Sequence, residues 1–198
     1  IMMGTASDLV ASENTAIVIG CGLSVSGAAV RVLTTALQRD TPMVVDADAL
    51  NLIAQSAELA TLMQRRTANT VITPHPAEAA RLLGCSTADV QRDRLRAARD
   101  LAKGYRCVAV LKGAGTVVCD GLTHTALSIN RTGNALLATA GTGDVLAGMI
   151  GALLAQGFDV ATAAHLGVCM HGAAADQLAA SGVRRMVASD LFEPLARL

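Results

Sequence analysis

A run of small residues, Asn130 through Gly148, leads directly into an apolar helical pattern and contains Ala140-Gly141-Thr142-Gly143-Asp144. Glycines at 141 and 143 allow a tight turn that brings backbone amides to an anion. A helix opening near Asp144 adds unsatisfied N–H groups and the positive end of its dipole. Gly141, Thr142 and Gly143 are therefore the expected anion hole. A carboxylate beside a phosphate is repulsive unless it handles a proton or a cation, so Asp144 reads as a catalytic base. Asp is also favoured as a helix N-cap, and spacing alone weighs the two readings evenly.

Other chemistry-bearing residues follow apolar, β-rich runs. Gly20-Cys21-Gly22-Leu23, Asp46-Ala47-Asp48-Ala49-Leu50-Asn51, Thr73-Pro74-His75-Pro76-Ala77-Glu78 and Lys112-Gly113-Ala114-Gly115-Thr116 each lie just after one. In an open α/β sheet, ligands collect at the carboxyl ends of strands, so these segments share one rim. Gly20-x-Gly22 lacks the third glycine at dinucleotide spacing, and no Walker phosphate loop is present. His75 stands between two prolines that stiffen its backbone, which favours a positioned ligand contact over a core histidine. Glu78 has the alternative of capping the helix that Pro76 begins. Of Asp46 and Asp48, one is a candidate metal ligand and the other a cap for the next helix, the cap being favoured for Asp48. His165 and His171 are six residues apart on one helix, so they face opposite ways and make no metal pair. His124 reads as a turn residue, and the small residues of Gly167 to Ala175 as close helix packing with no chemistry.

The elements that must position these groups alternate. Strands are expected at Ala16 to Gly20, Met43 to Asp46, Thr70 to Thr73 and Cys107 to Leu111, and helices at Gly27 to Gln38, Ala77 to Leu83 and Ala88 to Lys103. That order predicts an α/β fold, a mainly parallel sheet covered by helices on both faces. Thr116 to Cys119 and Thr125 to Ile129 flank Asp120-Gly121 and predict an edge hairpin. Helices at Val145 to Gln156 and Ala161 to Ala180, and a short docking helix opened by Ser189, complete the expectation.

Composition bounds the function. The chain is 52% hydrophobic, enough for one sizeable core, and only 2% aromatic, which disfavours stacking on nucleic-acid bases. Sixteen basic residues balance sixteen acidic ones, so there is no broad electrostatic footprint for nucleic acid or an acidic membrane. The five cysteines are odd in number, widely spaced and mostly inside apolar segments, without a C-x-x-C pair, and read as buried thiols in a reducing compartment; cytoplasm is the expectation. No membrane-spanning stretch or signal sequence is evident. The chain starts at Ile1 without an obvious first strand, so the 1–198 domain is expected to lack N-terminal elements.

In order and spacing these rim segments, with Ala140 to Asp144 and the terminal Val187-Ala188-Ser189-Asp190-Leu191, resemble the ADP-dependent NAD(P)H-hydrate dehydratase family over nearly the whole chain. Cys21 stands where that family usually has proline, Ala77 where it has glycine, and the family's glycine-rich N-terminal portion is absent. The resemblance implies a ribokinase-like fold and ADP-driven dehydration of the S epimer of NADH or NADPH hydrate, releasing AMP and phosphate. It implies adenine-nucleotide contacts from Lys112, Gly113, Ala114, Gly115, Thr116 and Gly143, and hydrate contacts from Gly22, His75 and Asp144. Magnesium is expected with the phosphates, its protein ligands unassigned. A homo-oligomer, linked to or working with an NAD(P)H-hydrate epimerase, is the expected assembly. A ribokinase-like kinase of a small alcohol and a noncatalytic nucleotide-binding fragment are the competing readings.

Overall fold

The computed structural model describes residues 6–11, 13, 15–122 and 126–198. Six strands form one sheet in the order β1 (Ile17–Ile19), β2 (Met43–Val45), β3 (Thr70–Ile72), β4 (Val108–Leu111), β5 (Val117–Asp120) and β6 (Leu127–Ile129). The first four are parallel, in register Ile17↔Met43↔Thr70 and Val71↔Val108. The last two return antiparallel, Val108↔Asp120 and Val117↔Ile129. β2, β3, β4 and β5 are buried throughout, as central strands covered on both sides must be, whereas Ile129 of edge strand β6 is exposed.

Alternation along the strands divides the core. Ile17, Ile19, Met43, Val45, Ile72, Ala109 and Leu111 pack beneath α2 (Gly27–Leu37), α3 (Ala47–Gln55), α4 (Ala57–Arg65), α5 (Pro76–Leu83) and α7 (Arg94–Tyr105). Val44, Val71, Val108, Val110 and Val118 face α8 (Thr142–Ala155) and α9 (Val160–Ala180). Small residues let α8 approach closely: a Cβ on Gly151 would lie 2.2 Å from Val18 Cγ2. Short helices α1 (Ala6–Ala11), α6 (Thr87–Arg92) and α10 (Phe192–Leu195), with 3-10 turns at Ala135–Ala138 and Ala188–Leu191, complete the described chain. Among the described residues no helix is long and apolar enough to cross a membrane.

Three expectations are corrected. The single helix expected over Ala88 to Lys103 is two, α6 and α7, broken at Asp93, which leaves helical geometry and accepts a hydrogen bond from Arg96 N at 2.9 Å. Asp competes with the helix by offering its own side chain as a cap. The terminal helix is not opened by Ser189: a 3-10 turn comes first, and Asp190 accepts from Val187 N at 2.8 Å. The thiols are not all buried: Cys107 and Cys119 are, whereas Cys21, Cys85 and Cys169 lie on exposed loop or helix surfaces. After Asp46 the chain forms α3 and α4, joined at Ser56, whose side chain caps α4 through Leu59 N. The hairpin is present as β5 and β6, while Thr125 and His124 lie outside the described residues.

Candidate functional site

The rim forms where β1, β2, β3 and β4 end. Gly20 ends β1 with φ +122°, and a Cβ there would lie 1.8 Å from the backbone oxygen of Asp46. Only glycine permits that approach and that dihedral. Gly20→Ala is therefore expected to destabilise the protein by about 1–3 kcal/mol, the scale of a forced backbone conformation. Urea denaturation checks this, and an unchanged midpoint refutes it. Next, Ala47 adopts the left-handed φ of 49° at the start of α3. Asp46 is 1% exposed, and its Oδ1 accepts a hydrogen bond from Lys112 Nζ at 2.8 Å. Lys112 is positioned in turn by its amide, which donates to Pro74 O at 2.9 Å.

This ion pair abuts the start of α8. A Cβ on Gly143 would lie 3.2 Å from Lys112 Nζ and 3.9 Å from Asp46 Oδ2. Gly141, with φ +84°, is the N-cap of α8, so Asp144 is the third residue of the helix and not its cap. The cap reading of Asp144 is thereby removed, and its carboxylate is exposed at the rim. The first-turn amides of a helix have no intrahelical partner. Thr142 differs from its neighbours: its amide reaches Thr139 O at 3.4 Å, and its buried hydroxyl lies 2.8 Å from Leu137 O and 2.9 Å from Thr139 O. It anchors the loop.

Cys21 joins this group. Its Sγ and one oxygen each of Asp46 and Asp144 lie within 4.8 Å of one another. Burial pushes the thiol up to about 12, helped by hydrogen bonding to Asp144 and by the charges of Asp46 and Asp144, against Lys112. Cys21 is therefore a neutral donor beside Asp144, not a nucleophile. The trio is a poor match for magnesium, which demands hard oxygen ligands: one of its three donors is a sulfur, and Asp46 Oδ1 is already paired with Lys112 Nζ. Of the two aspartates weighed as metal ligands, Asp46 is the one that lies in this trio, and its Oδ1 is paired with Lys112. Asp48, in the first turn of α3, accepts from Ser24 N at 2.8 Å and ties the β1–α2 loop to α3 instead of capping the helix.

His75 is held more tightly than its prolines alone require. Its Nδ1 accepts from Ala77 N (3.1 Å) and Glu78 N (3.4 Å), while Glu78 Oε2 accepts from His75 N at 2.8 Å. The reciprocal bonds make a capping box with histidine in the usual Ser or Thr position. Its Nε2 lies 3.3 Å from Glu78 Oε1 and the side chain is about half exposed, so the ring is fixed yet reachable. Gly22, with φ +66°, lies on the exposed loop beside Cys21. Neither His75 nor Gly22 is hydrogen-bonded to Asp144.

The loop after β4 opens onto a cavity of about 410 Å³. Gly113–Thr116 line it, with Thr132–Ala135, Leu146, Val168 and His171. Asp176 holds the Thr132–Ala135 segment, accepting from Gly133 N (2.8 Å) and Asn134 Nδ2 (2.9 Å). His171 is the residue that the sequence reading missed: it is 7% exposed, and its Nε2 lacks a hydrogen-bond partner among the described residues. Burial pushes its imidazole below the usual value; the Thr142 carbonyl opposes this and the Lys112 charge adds to it. A histidine inside a run of small helix-packing residues was the one sequence signal. His165, on the same helix, is exposed, as the six-residue spacing predicts.

A mainly parallel sheet with helices on both faces, and a helix opening through glycines at its carboxyl rim, is an α/β protein of ribokinase-like architecture. A ribokinase-like superfamily protein from Enterococcus faecalis V583 superposes with a TM-score of 0.79 at 25% identity, covering 96% of this chain and 64% of its own. The family model described as NAD(P)H-hydrate dehydratase matches residues 2–197, and the chain belongs to that family. It is 46% identical over 201 residues to the ADP-dependent (S)-NAD(P)H-hydrate dehydratase of Neisseria meningitidis serogroup B, covering 100% of this chain and 67% of the relative. It is 50% identical over 184 residues to the bifunctional NAD(P)H-hydrate repair enzyme Nnr of Escherichia coli K12, covering 92% of this chain but 34% of that enzyme. The ADP/ATP-dependent NAD(P)H-hydrate dehydratase of Bacillus subtilis, co-crystallised with ATP and Mg2+ and soaked with CoA, superposes with a TM-score of 0.82 at 29% identity, covering 97% of this chain and 69% of its own.

Proposed function

We propose that this chain carries the dehydratase site that returns (S)-NADH hydrate and (S)-NADPH hydrate to NADH and NADPH, with ADP converted to AMP and phosphate. The observation that carries the reading is the placement of Asp144: an exposed carboxylate in the first turn of α8, within 4.8 Å of Cys21 Sγ and beside the helix terminus at Gly141 and Gly143 and the Lys112–Asp46 pair. Asp144 takes the proton of the hydrate hydroxyl, whose oxygen attacks the β-phosphorus of ADP as the bond to AMP breaks. The helix-terminal amides hold the developing charge on the transferred phosphoryl group. The ring nitrogen then expels phosphate from the phosphorylated hydrate, and loss of the adjacent ring proton restores the dihydropyridine.

In this reading Lys112 to Thr116 and Gly143 receive the adenine nucleotide, and Gly22 and His75 position the hydrate. Magnesium enters with the phosphates rather than in a protein cage, since the chain's own cluster does not suit it. The bifunctional repair enzymes among its relatives support a working partnership with a second repair activity, an epimerase. Free cysteines throughout the described residues support a cytoplasmic setting.

The test mixes the protein carrying this chain with NADH hydrate and magnesium, adding ADP, ATP or neither. Recovery of reduced-nicotinamide absorbance is followed alongside AMP. Recovery that requires ADP and is matched by AMP is expected. Phosphorylation of other small alcohols without hydrate turnover would favour the kinase reading, and nucleotide binding with no product would favour a noncatalytic module.

A further inference from the structure

The loop that lines the nucleotide cavity is gripped from behind by one side chain. Arg94 opens α7, at the break made by Asp93. Its Nη2 donates to Leu111 O (3.2 Å), Lys112 O (3.4 Å) and Gly115 O (3.2 Å), and its Nη1 to Lys112 O (3.4 Å) and Gln91 Oε1 (3.1 Å). Gly113 takes φ +140°, and a Cβ there would lie 2.7 Å from Arg94 Nη1, so the loop closes directly on the guanidinium. We propose that Arg94 is a positioning residue for the adenine nucleotide, fixing the Lys112–Thr116 loop in its ligand-receiving shape through three backbone carbonyls.

Peptide geometry supplies the reason. In a trans peptide the N–H points opposite to the C=O. Drawing the carbonyls of Lys112 and Gly115 onto Arg94 therefore turns the amides of Gly113 and Thr116 away from it. Those two residues line the cavity, and Arg94 does not. Arg94 forms no ion pair with a carboxylate among the described residues. Its charge is thus uncompensated at short range, and it favours a polyanion on the loop's far side. A planar fork suits several carbonyls at once where a lysine ammonium would not.

Arg66 provides an internal control. It binds the carbonyls of Ala36, Leu37, Arg39 and Thr41 at 2.8–3.3 Å, and Thr70 Oγ1 at 3.0 Å, at the opposite end of the sheet. The chemistry is the same, but the location is remote from the rim.

The inference rests on the proposed nucleotide site, so ADP binding by the unmodified protein is measured first, by calorimetric titration, followed by Arg94→Met, Arg94→Gln, Arg94→Lys and Arg66→Met. Arg94→Met and Arg94→Gln are expected to weaken ADP binding and raise the KM for ADP by about tenfold or more, the scale of one lost charge-assisted interaction. The KM for hydrate and kcat at saturating ADP stay within about threefold. Arg94→Lys recovers part of the affinity, whereas Arg66→Met lowers the urea midpoint and leaves ADP affinity unchanged. If Arg94→Met does not fold, Arg94→Gln and Arg94→Lys carry the comparison. No ADP binding by the unmodified protein overturns the nucleotide reading and this inference with it. Binding that the Arg94 variants retain, or an equal loss in Arg66→Met, overturns this inference alone.

Discussion

Asp144→Asn is expected to lower kcat by about 10²–10⁴-fold, the usual loss on removing a general base, while ADP binding is retained or tightened. The substitution is isosteric and the residue exposed, so stability should change by less than about 0.5 kcal/mol. Affinity should not fall, because an anion is removed from beside phosphates and the amides of α8 are untouched. The neutral amide cannot accept the hydroxyl proton. Single-turnover formation of AMP with calorimetric ADP titration separates these effects. Loss of binding together with turnover would make Asp144 a structural or phosphate-orienting residue, and full turnover would remove it from the chemistry. Cys21 sharpens the test: its protonated thiol sits within 4.8 Å of this carboxylate, so the base has a donor beside it before substrate arrives.

Rim loops were legible in the sequence because glycine, proline and acidic residues punctuate apolar runs, and each run proved to be a strand whose carboxyl end faces the site. Strand lengths were less so. Gly20, Asp46 and Thr73 extend the apolar runs chemically but fall just past the strands: Gly20 turns the chain, while the amides of Asp46 and Thr73 make a last bond to Ile19 O and Val45 O. The helix of Ala88 to Lys103 looks continuous by periodicity, yet one Asp splits it, and Arg94 just after the break reaches the Lys112–Thr116 loop. Pairings between distant residues left no local trace: Asp46 and Lys112 are 66 residues apart. The sequence therefore offered Asp46 as a cap or a metal ligand and gave no sign of its ion pair. His75 was legible as a fixed residue, because Pro74 and Pro76 constrain it, but its capping bonds through Nδ1 are a use of histidine that residue preferences at N-caps do not anticipate.

Lys112→Met should destabilise the fold by about 3–5 kcal/mol, the cost of leaving a buried charge without its partner, and should abolish measurable ADP affinity in the molecules that remain folded. The two partners are unequal. Asp46 is 1% exposed and cannot reach water, whereas the Lys112 side chain is 19% exposed and has a flexible stem. Asp46→Asn is accordingly expected to cost less than Lys112→Met, because the stranded ammonium can turn outward. The double variant Asp46→Asn with Lys112→Met should be more stable than Lys112→Met alone, since no uncompensated carboxylate remains. Urea unfolding of the four proteins forms a double-mutant cycle, and additive losses would show that the pair is not coupled. Recovery of stability without recovery of ADP binding is the informative result. It would mean that the pair is kept to hold an ammonium against Gly143 at the start of α8, where a neutral pair of similar volume would serve the core equally well and the phosphate not at all.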